Sequence, residues 1–124
     1  MLAKAFEQAP ADRITLSTDS NGSIPEWNER KEMTGMGVGS ISSLHRTVQS
    51  LVGTCGVPLS LAIRPATQTA AAALGLAGRK GRIGVGYDAD LNLLGDHLEL
   101  STVIAGGTVM MDGGRVLRKG MFEK

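Results

Sequence analysis

The sequence predicts an α/β fold: a helix–strand–loop–helix unit of a parallel sheet or barrel, followed by a small antiparallel sheet. Two observations carry this. In the first half, apolar residues at helical spacing lead into a β-branched run that stops at an acid, and a second helical stripe follows. In the second half, short apolar runs are separated by paired glycines, the chemistry of tight hairpins.

The first element is a helix. Leu2, Ala5, Phe6 and Ala9 recur at i, i+3, i+4 and i+7, and Pro10 ends the pattern. Ile14-Thr-Leu-Ser-Thr alternates β-branched and aliphatic residues and reads as a strand, delivering Asp19 to its C-terminal end before the loop formers Asn21 and Gly22. In parallel α/β architectures that end is where chemistry is done, so Asp19 is a candidate for catalysis or metal binding. The alternative is that it starts an Asx-turn. A parallel strand needs neighbours, and none is evident upstream, so part of a domain is expected to be missing.

Residues 24–40 sustain neither a period of 2 nor of 3.6 and read as a long, glycine-rich loop. Gly35-Met-Gly37-Val-Gly39 follows no expected strand, lacks the full dinucleotide spacing and has no Lys-Ser/Thr ending, so mobility or close backbone packing is a better reading than a phosphate cradle. Ile41, Leu44, Val48, Leu51 and Val52 then form one helical stripe closed by Gly53. Pro58 opens a further short helix over 59–63, which Pro65 stops. Thr67 is placed to cap an alanine-rich helix ending at Gly75, whose small side chains suit close packing. Strands are expected at 90–94, 101–105, 108–111 and 115–118, the last three as an antiparallel meander turning at Gly106-Gly107 and Asp112-Gly113-Gly114.

At 124 residues the chain suits one domain, burying about two-thirds of its unfolded surface. Thirteen basic and twelve acidic residues are scattered and give a net charge of +1, which points to neither a nucleic-acid face nor a membrane patch. The lone Cys55 cannot form an internal disulfide and reads as a small apolar filler. No apolar run suits a signal peptide or membrane span, and a cytoplasmic location is expected. His45 and His97 lack partners at metal-ligand spacing. Asp88 and Asp90, two apart at a strand start, share a face. They could form a dyad, although capping backbone amides at the turn after Gly86 is the simpler reading.

Gly81-Arg-Ile83-Gly-Val-Gly86-Tyr-Asp88-Ala-Asp90-Leu91, with Val103-Ile-Ala-Gly-Gly107 and Asp112-Gly113, resembles the C-terminal signature of the amidohydrolase superfamily. Leu16-Ser-Thr-Asp19-Ser-Asn-Gly-Ser23, Ile63-Arg-Pro-Ala-Thr67 and the closing 119–123 stretch are similar to isoaspartyl (β-aspartyl) dipeptidases within it. The resemblance implies the C-terminal part of a metal-dependent (β/α)8 barrel over residues 1–80 and strands of a small β-sandwich over 81–124. It also implies a binuclear zinc centre in a full-length parent, with Asp19 as metal ligand and general base and Ser23 binding the carboxylate of a small dipeptide substrate. A homo-oligomer is expected. The upstream His-x-His pair, the further histidines and the lysine of such enzymes have no counterpart here, so the chain alone is expected neither to bind zinc tightly nor to be active. Ser20 stands where the family usually has glycine. The other readings are a fragment of a cyclic amidohydrolase, hydantoinase- or dihydroorotase-like, and a noncatalytic interaction module.

Overall fold

The computed structural model describes residues 2–20 and 22–119 and divides into two compact units, Met1–Ala66 and Thr67–Lys124. Asn21 and the 120–123 part of the closing motif lie outside the described residues. Helices and strands are mixed, as expected, and among the described residues no helix is long and apolar enough to cross a membrane.

In the first unit, α1 (Leu2–Gln8) forms where the spacing predicts it, and a 3-10 turn over Ala11–Arg13 follows Pro10. The 14–18 stretch is a correction. Its backbone starts extended, with Ile14 at φ −112° and ψ 129°, but it joins no ladder among the described residues. A strand is defined by its neighbours, and here the Leu16 amide instead donates to the Pro65 carbonyl at 3.2 Å. That bond gives the Arg64-Pro-Ala-Thr67 motif a structural role: Arg64–Ala66 is a 3-10 turn with Pro65 fully buried.

Residues 24–40 also depart from expectation, forming a hairpin rather than a loop. β1 (Ser23–Trp27) pairs antiparallel with β2 (Met33–Val38), with a bulge at Glu26/Trp27. The sequence hid the alternation because one face of β2 is glycine. Glu26 lies across that face: a Cβ on Gly37 would stand 2.8 Å from its Oε1, and one on Gly35 3.3 Å from its Oε2. The opposite face carries Trp27, Met33, Met36 and Val38, all exposed. Asn28 closes the turn, its Oδ1 accepting from the Arg30 and Glu32 amides at 2.9 and 3.0 Å.

α2 (Ser43–Gly53) buries Val48 and Leu51. Ile41 falls before it and is 81% exposed, so it does not belong to the apolar stripe. Cys55 is exposed as well, in the turn after α2 where its amide reaches the Ser50 carbonyl, and is no core filler. α3 (Leu59–Ala62) supplies Ala62, and the core of Val48, Leu51 and Ala62 is ringed by Phe6, Leu16, Val52, Val57 and Ile63. Helix α2 therefore packs against the segment that leads to Asp19.

In the second unit, α4 (Gln68–Ala73) ends at Leu74, and the Leu76 and Gly75 amides return to the Ala71 and Ala72 carbonyls, a Schellman stop. Its alanines do permit close approach: a Cβ on Gly81 would stand 2.9 Å from that of Ala71. Strands β3 (Leu91–Leu94), β4 (Leu100–Ala105), β5 (Thr108–Asp112) and β6 (Arg115–Val116) form an antiparallel sheet in sequence order. Both tight turns use glycine pairs at positive φ, Gly106-Gly107 and Gly113-Gly114, whose twist matches that of the flanking strands.

Candidate functional site

Asp19 sits in the left-handed region, φ 47°, a conformation Asp adopts more readily than most residues. The backbone around it is held at successive points. The Asp19 amide donates to Ser17 Oγ at 3.3 Å and the Ser20 amide to Thr18 Oγ1 at 3.2 Å. The Gly22 amide closes a reverse turn onto the Asp19 carbonyl at 3.0 Å. From the far side of the hairpin, Gly39 pairs with Ser20 in a parallel bridge and donates to the Gly22 carbonyl at 3.4 Å. A Cβ on Gly39 would fall on the Asp19 carbonyl and 2.9 Å from that of Thr18, so glycine is what lets the two segments meet. Of the two roles the sequence suggested for the glycine run, mobility and close packing, Gly39 takes the second.

Both site residues expected from sequence flank this turn. Asp19 begins it, exposed, with its carboxylate folded toward Gly22, and among the described residues no donor reaches either oxygen. Ser23 ends it, exposed, as the first residue of β1 opposite Val38. A further contact to the turn comes from outside it. Ser43, in the first turn of α2, donates its Oγ to the Thr18 carbonyl at 3.4 Å, across 25 residues of chain. No local pattern announces a contact of that separation.

A groove of about 390 Å³ runs along α2, lined by Ser43, Arg46, Thr47, Ser50 and Cys55 among others; neither Asp19 nor Ser23 lines it. His45 is half-buried on α2, and His97 is exposed in the β3–β4 loop, where its amide donates to Glu99. Among the described residues no three His, Cys, Asp or Glu side chains gather as a metal site.

Asp88 and Asp90 are bound into a different constellation. Asp88 Oδ2 accepts from Arg79 Nη2 at 2.9 Å and Lys80 Nζ at 3.0 Å. Asp90 pairs with Lys80 through Oδ2 and accepts the Gly106 amide at 2.7 Å through Oδ1. The Arg79 hydrogen bond, with Lys80 adding, holds Asp88 below the usual carboxylate range; Lys80, then the Gly106 amide, does the same for Asp90. Both stay charged and occupied. Asp90 does cap a backbone amide, as the simpler reading had it, but at the β4–β5 turn rather than beside Gly86.

The amidohydrolase family profile matches residues 3–113. Among solved structures, the chain is similar to the β-aspartyl dipeptidase of Fervidobacterium islandicum AW-1 in complex with a β-Asp-Leu dipeptide, at TM-score 0.79 and 28% identity, covering 97% of this chain and 31% of that one. A second structure of the dipeptidase from that organism aligns at TM-score 0.73 and 25% identity over 97% of this chain and 29% of that one. The N-acetylglucosamine-6-phosphate deacetylase of Pasteurella multocida shares the fold at TM-score 0.62 and 18% identity, over 82% of this chain and 31% of that one. The chain thus spans about a third of the length of these proteins. With the profile running from α1 through the β5–β6 turn, the chain belongs to the amidohydrolase family.

Proposed function

We propose that the chain is the C-terminal part of a cytoplasmic, homo-oligomeric, zinc-dependent β-aspartyl dipeptidase, hydrolysing the isopeptide bond formed through an aspartate side chain. Residues 1–80 would complete its (β/α)8 barrel and 81–124 its small β-sandwich. The observation that carries the reading is the Asp19 carboxylate: exposed, at a turn whose described amides, those of Asp19, Ser20 and Gly22, are satisfied without it, in a chain that aligns over 97% of its length with a β-aspartyl dipeptidase. The described residues do not make a zinc site by themselves. Asp19 fits as one oxygen ligand, and the remaining ligands would have to come from other parts of the parent. Bound zinc would supply Lewis acidity. Asp19 would take a proton from the attacking water, which needs an accessible carboxylate oxygen with no competing donor. Ser23, at the other end of the turn, would donate its hydroxyl to a substrate carboxylate, where an acid would repel it.

The test is kinetic, in a full-length protein that contains this chain. Asp19→Asn should lower kcat by at least about 10²-fold with the fold intact, the lower end of general-base contributions. Ser23→Ala should act mainly on KM with a β-Asp-Leu substrate. Near-normal turnover by Asp19→Asn would return Asp19 to a turn former, and hydrolysis of a cyclic amide in place of β-Asp-Leu would move the protein to the cyclic amidohydrolases.

A further inference from the structure

The Asp19 turn is anchored within its own span by Ser17, Thr18 and Gly22, but those bonds set only its local shape. What fixes its position on the first unit must come from elsewhere in the chain. Two contacts do so at the turn itself: the Gly39 backbone, which reaches Ser20 and Gly22, and the Ser43 hydroxyl, which reaches the Thr18 carbonyl at 3.4 Å. Ser43 opens α2, the helix that carries the buried Val48 and Leu51. Its amide is already committed to the Ser40 carbonyl at 3.0 Å, so the hydroxyl is the group that spans the gap.

We propose that Ser43 is a positioning residue for Asp19. Its hydroxyl ties the peptide immediately before the carboxylate-bearing residue to the first turn of α2, and so transmits the rigidity of the helix and its core to Asp19. The bond enters at the Thr18 carbonyl, which shares its peptide group with the Asp19 amide, so its loss is felt at Asp19 before any other residue. Ser43 itself touches no reacting atom. The catalytic half of this inference rests on the reading of Asp19 above; the structural half does not.

Two measurements separate those halves. In the 124-residue chain, Ser43→Ala should shift the Asp19 amide and Thr18 carbonyl resonances in NMR spectra and speed hydrogen exchange at Gly22, while Ser43→Thr, which keeps the hydroxyl, should leave them near wild type. Unmoved Asp19 and Thr18 resonances in Ser43→Ala would overturn the proposal whatever the function proves to be. In the full-length protein, Ser43→Ala should lower kcat between about 10- and 10²-fold, the scale of misplacing a reacting group by around an ångström, with KM little changed and Ser43→Thr restoring the rate. Should Asp19→Asn abolish turnover while Ser43→Ala keeps full kcat, the positioning role is refuted and the reading of Asp19 survives. Should Asp19→Asn turn over normally, that reading fails and the NMR result alone decides the tie.

Discussion

Replacing Leu51 by alanine tests whether α2 seats the segment that carries Asp19. Leu51 is 1% exposed and sits with Val48 and Ala62 at the centre of the first unit, against Phe6 of α1 and Leu16 of the 14–18 stretch. Trimming leucine to alanine removes apolar transfer energy of roughly 0.8 kcal/mol per carbon group, so about 2 to 3 kcal/mol, and leaves a cavity besides. The ring of partly buried neighbours can relax inward, which keeps the expected cost in the lower half of the usual range of about 2–5 kcal/mol. A unit of this size with so few buried side chains has about 3–10 kcal/mol of stability at most, so this one change takes a large share of it. At about 1.4 kcal/mol per tenfold, amide exchange along α2 and at Leu16 should accelerate roughly 30- to 100-fold. A change under about threefold at both places would show that Leu51 does not hold the 14–18 stretch on the helix.

The second unit carries a pH-dependent clasp. Because Asp88 and Asp90 are depressed in the folded chain, their contribution to stability is present above the unfolded carboxylate value of about 3.9 and is lost as pH falls below it toward the folded values. Urea midpoints of the β3–β6 sheet should therefore drop on acidification, and Asp90→Asn should start lower and drop less; parallel curves would exclude the clasp as the titrating element. Zinc gives a separate check: calorimetry on the 124-residue chain should find no stoichiometric binding at micromolar zinc, since one carboxylate cannot replace the three or four ligands of an ordinary site. Tight binding abolished by Asp19→Ala would reveal ligands not gathered among the described residues.

What was legible in the sequence was local. Gly106-Gly107 and Asp112-Gly113-Gly114 prescribe their turns within two or three residues, and the sheet they organise appears in the order expected. The α2 stripe was legible because helical periodicity is also local, though its edge at Ile41 was not. The failures are non-local. The β1–β2 hairpin is written in pairings such as Glu26 with Gly35, where the partner has no side chain and leaves no apolar alternation to read. The 14–18 stretch has strand composition but joins no ladder among the described residues, because composition cannot supply the neighbour that a strand requires. Ser43 reaches Thr18 only once α2 has packed.

The two acidic motifs show why an acid's position in sequence says less than what its oxygens are bonded to. Asp90 uses Oδ1 on the Gly106 amide and Oδ2 on Lys80, and Asp88 lies between Arg79 and Lys80; each carboxylate is consumed in holding the second unit together. A turn-forming Asp19 would accept from the amide two residues on, that of Asn21, which lies outside the described residues. Among the described residues the Asp19 and Ser20 amides go to the hydroxyls of Ser17 and Thr18, and the Gly22 amide goes to the Asp19 carbonyl. Two hydroxyls and a carbonyl thus cap the described amides of the turn. Left-handed backbone at a non-glycine residue carries a cost of about 1–3 kcal/mol, smaller for aspartate, and it is incurred here without a compensating bond to the side chain among the described residues. An exposed carboxylate there that takes no donor among the described residues suits the proton acceptor or metal ligand proposed above.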